Sequence, residues 1–210
     1  MNYMSPDNKW IGKPTIRPDG IEKVTGSAQY SADYTMPGLV WGKVLRSPYA
    51  HALIKSIDTS KAEKLQGVLA VMTSADVPNL PLDVPLPTGP NDIRWISRCC
   101  MAQEKILYVG HPVAAVAATS QEIAKAALDL IEVDYEVLDH VIDVDEAAAP
   151  DAPILHDWIK TEGIEGPTNI SNIMTVKAGD VEKGFAEADL VVERDFTSAA
   201  VHQGYIEPQS

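Results

Sequence analysis

The chain has 210 residues, 45% hydrophobic and 22% charged, enough apolar material to bury the core of one large domain or two modest ones. Thirty acidic against 17 basic residues give a formal charge of −13, and so negative a surface repels phosphate backbones, which excludes DNA and RNA as expected partners. No run approaches the roughly 18 apolar residues of a membrane-spanning helix, and the first residues hold no apolar stretch after a basic one, so a cytoplasmic location is expected.

In chain order, the opening stretch carries Pro6, Gly12, Pro14, Pro18, Gly20 and Gly26 and reads as an extended arm. Residues 39–45 mix Leu, Val and Trp as a strand does, and Ser47-Pro48 breaks it. Residues 51–57 alternate as a second strand. Asp58, Thr59 and Ser60 supply capping side chains for a helix over 61–66, with Gly67 where a helix stop belongs. A strand over 68–72 and one helical turn over 74–78 follow. Residues 78–92, with five prolines at 78, 81, 85, 87 and 90, read as a long loop.

The clearest unit begins at Lys105: a short strand over 106–109, a turn at Gly110-His111-Pro112, and a buried strand over 113–118. Thr119 and Glu122 match a capping box. Ala124, Ala127, Leu128 and Ile131 then recur at helical spacing, and 131–137 is a strand, which makes strand–helix–strand. The proline- and alanine-rich stretch 147–153 marks a boundary. Gly179-Asp180 opens another short helix, with Val181, Gly184, Phe185 and Ala188 on its inner side, and 190–197 reads as a closing strand. Strands and short helices in irregular order indicate an α+β fold.

The residues alone carry little chemistry. The five histidines, 51, 111, 140, 156 and 202, are not paired with each other or with cysteine at zinc-site spacing. Cys99 and Cys100 are adjacent, a poor geometry for a disulfide, and two thiolates cannot hold an iron–sulfur cluster. No G-x-S-x-G elbow or P-loop is present. The carboxylates of Asp143, Asp145 and Glu146 read as a solvated turn, and Asp33 with Arg46 as a structural pair across a sheet.

Five stretches together resemble one family, the molybdenum hydroxylases, which include xanthine dehydrogenase, aldehyde oxidoreductase, carbon monoxide dehydrogenase and 4-hydroxybenzoyl-CoA reductase. They are DGIEKVTGSAQYSAD at 19–33 with MPGL after it, RSPYAHALIKSID at 46–58, YVGHPVAAVAA at 108–118, AGDVEKGFAEA at 178–188, and HQGYIEP at 202–208. Each is weak alone; their shared order and spacing carry the resemblance. After the arm read at 1–18, it implies a small module called the a/b hammerhead over 19–150 and the beginning of a molybdopterin-binding domain over 151–210.

The implied activity is hydroxylation, or reductive dehydroxylation, of an aromatic, heterocyclic or aldehyde substrate at a molybdenum–pterin, in its cytosine dinucleotide form. Electrons would pass to iron–sulfur clusters and FAD on partner chains, so an iron–sulfur subunit, a FAD subunit and the remainder of the molybdenum subunit are the expected partners. The YIEP wording leans toward the hydroxybenzoyl-CoA branch. The family's glycine-rich cofactor loops and catalytic glutamate have no counterpart here, so the chain is expected to be a truncated or separately encoded piece, inactive alone.

No catalytic residue and no metal ligand is therefore assigned, and Glu207 reads as a structural carboxylate. Some relatives place a glutamine that bonds the metal's oxo ligand where this sequence has Val201; Gln203, two residues later, is the one cofactor-contact candidate. His51 reads as a packed, hydrogen-bonded histidine, Arg46 as an anchor of its turn or of a subunit contact, and His111 as a turn residue facing a neighbouring subunit. The competing expectation is a free-standing, non-catalytic hammerhead-like module that binds or scaffolds.

Overall fold

The computed structural model describes residues 9–77, 93–157 and 161–205. The chain's packing divides into two units, residues 1–38 with 192–210, and residues 39–191. Among the described residues no helix is long and apolar enough to cross a membrane.

In the smaller unit, the opening stretch is not extended throughout, because Gly20–Thr25 forms a helix, α1, with no buried residue. Asp19 stands before it and binds Arg17 at 2.5 Å and Lys23 at 2.8 Å. The two cations hold its carboxyl well below the usual carboxylate range. The Thr25 hydroxyl donates to the Ile21 carbonyl at 2.8 Å, as a threonine in a last turn does. A 3-10 turn at Ser31–Asp33 follows, with the Asp33 carboxylate accepting the Tyr30 N–H at 2.9 Å.

The larger unit is built on two three-stranded antiparallel sheets. β1 (Trp41–Arg46), β2 (Ala52–Asp58) and β3 (Val68–Thr73) precede the proline-rich stretch; β4 (Lys105–Ile106), β5 (Pro112–Ala118) and β6 (Glu132–Val137) follow it. One sheet runs β1-β5-β3 and the other β4-β2-β6. β5, PVAAVAA, is apolar on both faces, which suits a strand covered on both faces. It pairs with β1 from Trp41–Ala118 to Arg46–Pro112 and with β3 from Val68–Ala118 to Thr73–Ala114.

α2 (Ser60–Glu63) and α4 (Gln121–Leu128) lie in the connections that close the first sheet. Ala62 and Ala127 are buried with Ala114, Val116 and Ile131 in one cluster. Ala52, Ala102, Ile106 and Val113 form a second, and Ile57 and Val133 pack against both. The alanines matter because a methyl lets helix and sheet approach closely. Burying these side chains contributes roughly 25 cal/mol per Å² of apolar surface removed from water.

Several sequence expectations need correction. α2 is shorter than 61–66, ending at Glu63, and its first turn is held by Asp58 accepting the Ser60 N–H at 2.9 Å and Thr59 donating to Glu63 at 2.5 Å. Gly67 does end that connection, at φ 94°, with its carbonyl accepting the Thr119 N–H at 2.9 Å. That bond keeps Thr119 at the strand end, so the cap of α4 is Ser120, whose hydroxyl accepts the Ile123 N–H at 3.3 Å. The strand expected over 106–109 stops at Ile106. Strand–helix–strand holds as an order, but β5 and β6 belong to different sheets, so α4 bridges between sheets.

An unexpected helix, α3 (Ile93–Cys100), precedes β4. The loop read at 78–92 lies outside the described residues. Asp143 caps α5 (Val144–Ala147) by accepting the Asp145 and Glu146 N–H groups, which accounts for that acidic cluster. Asn169 ties the proline-rich 147–153 stretch down, donating to the Ala147 and Pro153 carbonyls at 3.0 Å each while accepting the Leu155 N–H.

Beyond it, α6 (Val181–Glu187) starts at Asp180, which accepts the Lys183 N–H at 3.0 Å, but no residue of α6 is buried and it has no inner side. Residues 190–197 form no strand; Leu190, Val192 and Phe196 are exposed at 78%, 65% and 87%.

Candidate functional site

The most elaborately bonded part of the larger unit is the turn between β1 and β5. The β1–β5 register shifts between Leu45 and Arg46. There the Gly110 N–H donates to Ser47 O at 2.8 Å and the Ser47 N–H to His111 O at 2.9 Å. Gly110 holds φ 84°, a conformation that glycine adopts without cost. Arg46 Nη1 donates to its carbonyl at 2.9 Å, so Arg46 anchors this turn as its motif suggested. Asp33, read as its partner, belongs to the smaller unit, where its carboxylate accepts the Tyr30 N–H.

His111 does not face a neighbouring subunit; it is fully buried. Its Nδ1 accepts the Leu107 N–H at 3.2 Å, which places the proton on Nε2, and Nε2–H donates to Arg98 O at 2.8 Å. The ring is therefore neutral, and burial pushes its pKa below the ordinary histidine value. Tyr108 stacks on it with centroids 4.4 Å apart and donates its hydroxyl to Cys99 O at 2.7 Å. Two stacked rings thus satisfy the last carbonyls of α3, which a helix end otherwise leaves bare. Nothing in the sequence pairs 108 and 111 with a helix around 98; the apolar spacing of Ile93, Ile96 and Cys99-Cys100 is the signal that would have found that helix.

His51 is packed and hydrogen-bonded, as expected, with Nδ1 at 2.6 Å from Asp139 O. Since that carbonyl can only accept, Nδ1 donates, and Nε2 is buried with no hydrogen-bond partner among the described residues.

Beside the α3 end lies a cleft of about 320 Å³ lined by Arg98, Lys105, Leu107, His156 and Asp157 among others. Lys105 is bound to Asp157 at 2.7 Å and to Leu155 O at 3.3 Å. Burial first, and the Lys105 charge second, lower the pKa of His156. The described lining of the cleft holds basic and acidic groups but no nucleophile beside a base, and burial pushes the Cys99 thiol pKa up. No three His, Cys, Asp or Glu side chains fit for a metal come together among the described residues.

Gln203, in the smaller unit, is exposed. Its neighbours form a local turn: the Gly204 N–H donates to His202 Nδ1 at 3.0 Å, and the His202 and Tyr205 rings meet edge to face at 6.0 Å. Val201 is also exposed, and Glu207 lies outside the described residues. The described residues bring no catalytic constellation together.

Residues 25–139 match the family model described as "Aldehyde oxidase and xanthine dehydrogenase, a/b hammerhead domain". The chain is 40% identical over 201 residues to a probable xanthine dehydrogenase subunit of Bacillus subtilis, covering 95% of this chain and 25% of that protein. It is 32% identical over 209 residues to the "Nicotinate dehydrogenase large molybdopterin subunit" of Eubacterium barkeri, covering 99% of this chain and 45% of that one. The aldehyde oxidoreductase of Desulfovibrio gigas superposes with a TM-score of 0.60 at 30% identity, over 83% of this chain and 19% of that one. The chain spans from a quarter to under half the length of these two sequence relatives. The protein belongs to the aldehyde oxidase and xanthine dehydrogenase family, and residues 25–139 are its a/b hammerhead domain.

Proposed function

We propose that this chain is the hammerhead portion, with the beginning of the molybdopterin-binding domain, of the large subunit of a molybdenum hydroxylase. The hammerhead would extend over 19–150 and the molybdopterin-binding part over 151–210, after an arm at 1–18. The observation that carries the proposal is the family match over 25–139 joined to sequence kinship over 99% of the chain with a subunit named for molybdopterin. The complete subunit would hydroxylate, or reductively dehydroxylate, an aromatic, heterocyclic or aldehyde substrate. Molybdopterin, in its cytosine dinucleotide form, supplies the oxygen-transfer and redox chemistry when bound. Iron–sulfur and FAD subunits would take the electrons, since the two cysteines present cannot hold a cluster.

Among the described residues no three His, Cys, Asp or Glu side chains converge to hold a metal, and Gln203 offers a single amide on an exposed turn. Gln203 is the one side chain proposed to approach molybdopterin, where its amide would donate a hydrogen bond to the cofactor. What the rest of the chain contributes is support: the Arg46–Gly110 turn and the His111–Tyr108 pair fix the two strands and α3 in one rigid block.

Purification of the tagged chain from its own host, followed by native mass measurement and molybdenum analysis, tests the reading. The expected assembly contains further chains and stoichiometric molybdenum. Recovery of the 210-residue chain alone, with no metal in the fullest assembly, would overturn it and favour a free-standing scaffold.

A further inference from the structure

The cleft beside the α3 end is a cavity that the supporting turn does not use. At about 320 Å³ it stands at the small end of the range of ligand pockets, about 300–1,000 Å³. Its described lining brings Arg98, Lys105 and His156 together in a chain whose formal charge is −13. Glu104 and Asp157 also line it and balance the two permanent cations. The charges differ in depth, however. Glu104 is exposed and the Asp157 side chain is 69% exposed, whereas the Lys105 side chain is 18% exposed and Arg98 and His156 are half-buried. The acids stand at the rim and the bases below them.

The walls are anchored separately. Arg98 lies in the last turn of α3. The Arg98 and Cys99 carbonyls, which would repel an anion, are already covered by the His111 Nε2–H and the Tyr108 hydroxyl. Lys105 opens β4 and pairs with Leu53, and the Leu155 N–H is tied to Asn169 Oδ1 at 3.0 Å. An ammonium carries three N–H groups. Lys105 directs one at Asp157 Oδ1, 2.7 Å away, and one at Leu155 O, 3.3 Å away, which leaves a third with no acceptor among the described residues. Leu107 and Leu155 add an apolar wall. Cations fixed in a part-buried cleft bind an anion at a lower ordering cost than cations on mobile surface stems.

We propose that this cleft binds a small molecule through one oxyanion head, held by Arg98, Lys105 and His156, with an apolar body against Leu107 and Leu155. The site goes beyond the large-subunit reading and does not depend on it. A guanidinium and an ammonium donate and cannot accept, so the head must be an acceptor. His156 is neutral at pH 7, because burial first and the Lys105 charge second lower its pKa. The groups acting on its ring are Arg98 from α3, Lys105 from β4, His111 from the turn before β5, and Asp157 beside it. An oxyanion against the ring favours its protonated form, so binding should tighten as the pH falls from about 7 towards 5.

Titration calorimetry of the full 210-residue chain with sodium sulfate and with sodium acetate tests the site for tetrahedral and planar heads. Sodium chloride at matched ionic strength is the reference. Saturable one-site binding with a Kd of about 1 mM or tighter is expected for at least one of the two. Arg98→Gln should weaken it about tenfold. Asp157→Asn removes a rival anion from Lys105 at an exposed position and should strengthen binding about threefold. It decides the matter even where Arg98→Gln fails to fold. Imidazole NMR supplies a second readout, with His156 assigned from His156→Gln. Saturating sulfate or acetate, whichever binds, should raise the pH at which His156 takes its proton by about 0.5 or more.

Heat that matches chloride, or that never saturates, means an adventitious ion only and overturns the site. Saturable binding that neither variant changes lies elsewhere and overturns it too, as does weaker binding in Asp157→Asn or a His156 titration that the bound anion leaves unmoved. Repeating the titration on the assembly purified from the host separates the two readings. Binding by the chain that is absent from an assembly containing further chains and molybdenum overturns the site and leaves the large-subunit reading standing. Binding by a chain recovered alone and without metal supports the site and overturns that reading.

Discussion

Replacing His111 by phenylalanine keeps a ring of similar shape against Tyr108 and removes two hydrogen bonds at once. The Arg98 carbonyl loses the Nε2–H donor at 2.8 Å, and the Leu107 N–H loses its acceptor at 3.2 Å, next to a fully buried side chain. Each polar group left bare in such a place costs about 1–3 kcal/mol, so the variant should be destabilised by roughly 2–4 kcal/mol. For a chain of this size each kcal/mol lowers the midpoint by about 2–4 °C, so His111→Phe should melt roughly 5–15 °C below the parent, followed by circular dichroism. Tyr108→Phe, which loses only the hydroxyl bond to Cys99 O, should cost about 1 kcal/mol.

The pH dependence gives an independent arm. Burial holds the His111 pKa below the ordinary value of about 6.5, so on acidification the unfolded chain takes up the proton first. The stability tied to the neutral ring is complete above about pH 6.5 and is lost as the pH falls below it. His111→Phe should therefore show a shallower loss between about pH 7 and 5, with the share due to His156 remaining. A phenylalanine variant melting within about 2 °C of the parent, with the same pH profile, would refute the account of this histidine as a buried neutral bridge.

Gly67→Ala should be among the most damaging single methyl additions. The new Cβ would lie 2.7 Å from Ile123 Cδ1 and 2.9 Å from Thr119 Oγ1, at a φ of 94°. A loss of about 2–3 kcal/mol in urea unfolding is expected. Ser120→Ala should cost about 1 kcal/mol, and Thr119→Ala clearly less; the reverse order in the same titration would return the cap of α4 to Thr119. Arg46→Ala should cost only about 0.5–1 kcal/mol, because its bond to Gly110 O is on the surface, and a larger shift in the melting midpoint would give it a role beyond the turn.

Much of the larger unit is legible in its sequence because its signals are local. Alternation marks β2 and β6, the PVAAVAA run marks a strand covered on both faces, and Gly67 marks a turn with positive φ. Partner choice is not local. β5 and β6 flank one helix, yet join different sheets, since a strand's alternation says which face is buried and not against which neighbour. The cap of α4 falls on Ser120, one residue past the expected Thr119, because the competing Thr119 bond runs to Gly67, far away in the sequence. The tail shows the converse: 190–197 reads as a strand and is none here, because pairing requires a second edge that no local pattern supplies. Of the site residues, His51 and Arg46 behave as their motif suggested. His111 points inward instead, because the Arg98 carbonyl and the Leu107 N–H converge on its ring and Tyr108 covers it.

The pairing order of the two sheets has a consequence for synthesis. β1, β2 and β3 are consecutive and never bond to one another; every ladder among the described residues joins a strand before the proline-rich stretch to one after it. A ribosome that has released the chain only as far as Cys100 has therefore delivered two strands of the first sheet and one of the second, with no ladder formed in either. The first sheet can close only when Ala118 has emerged and the second only with Val137. Until then strands wait unpaired, in the regime where long-range β contacts fold slowly and are exposed to aggregation. Chaperone occupancy of the nascent chain should rise after β1 emerges and fall once β6 clears the exit tunnel.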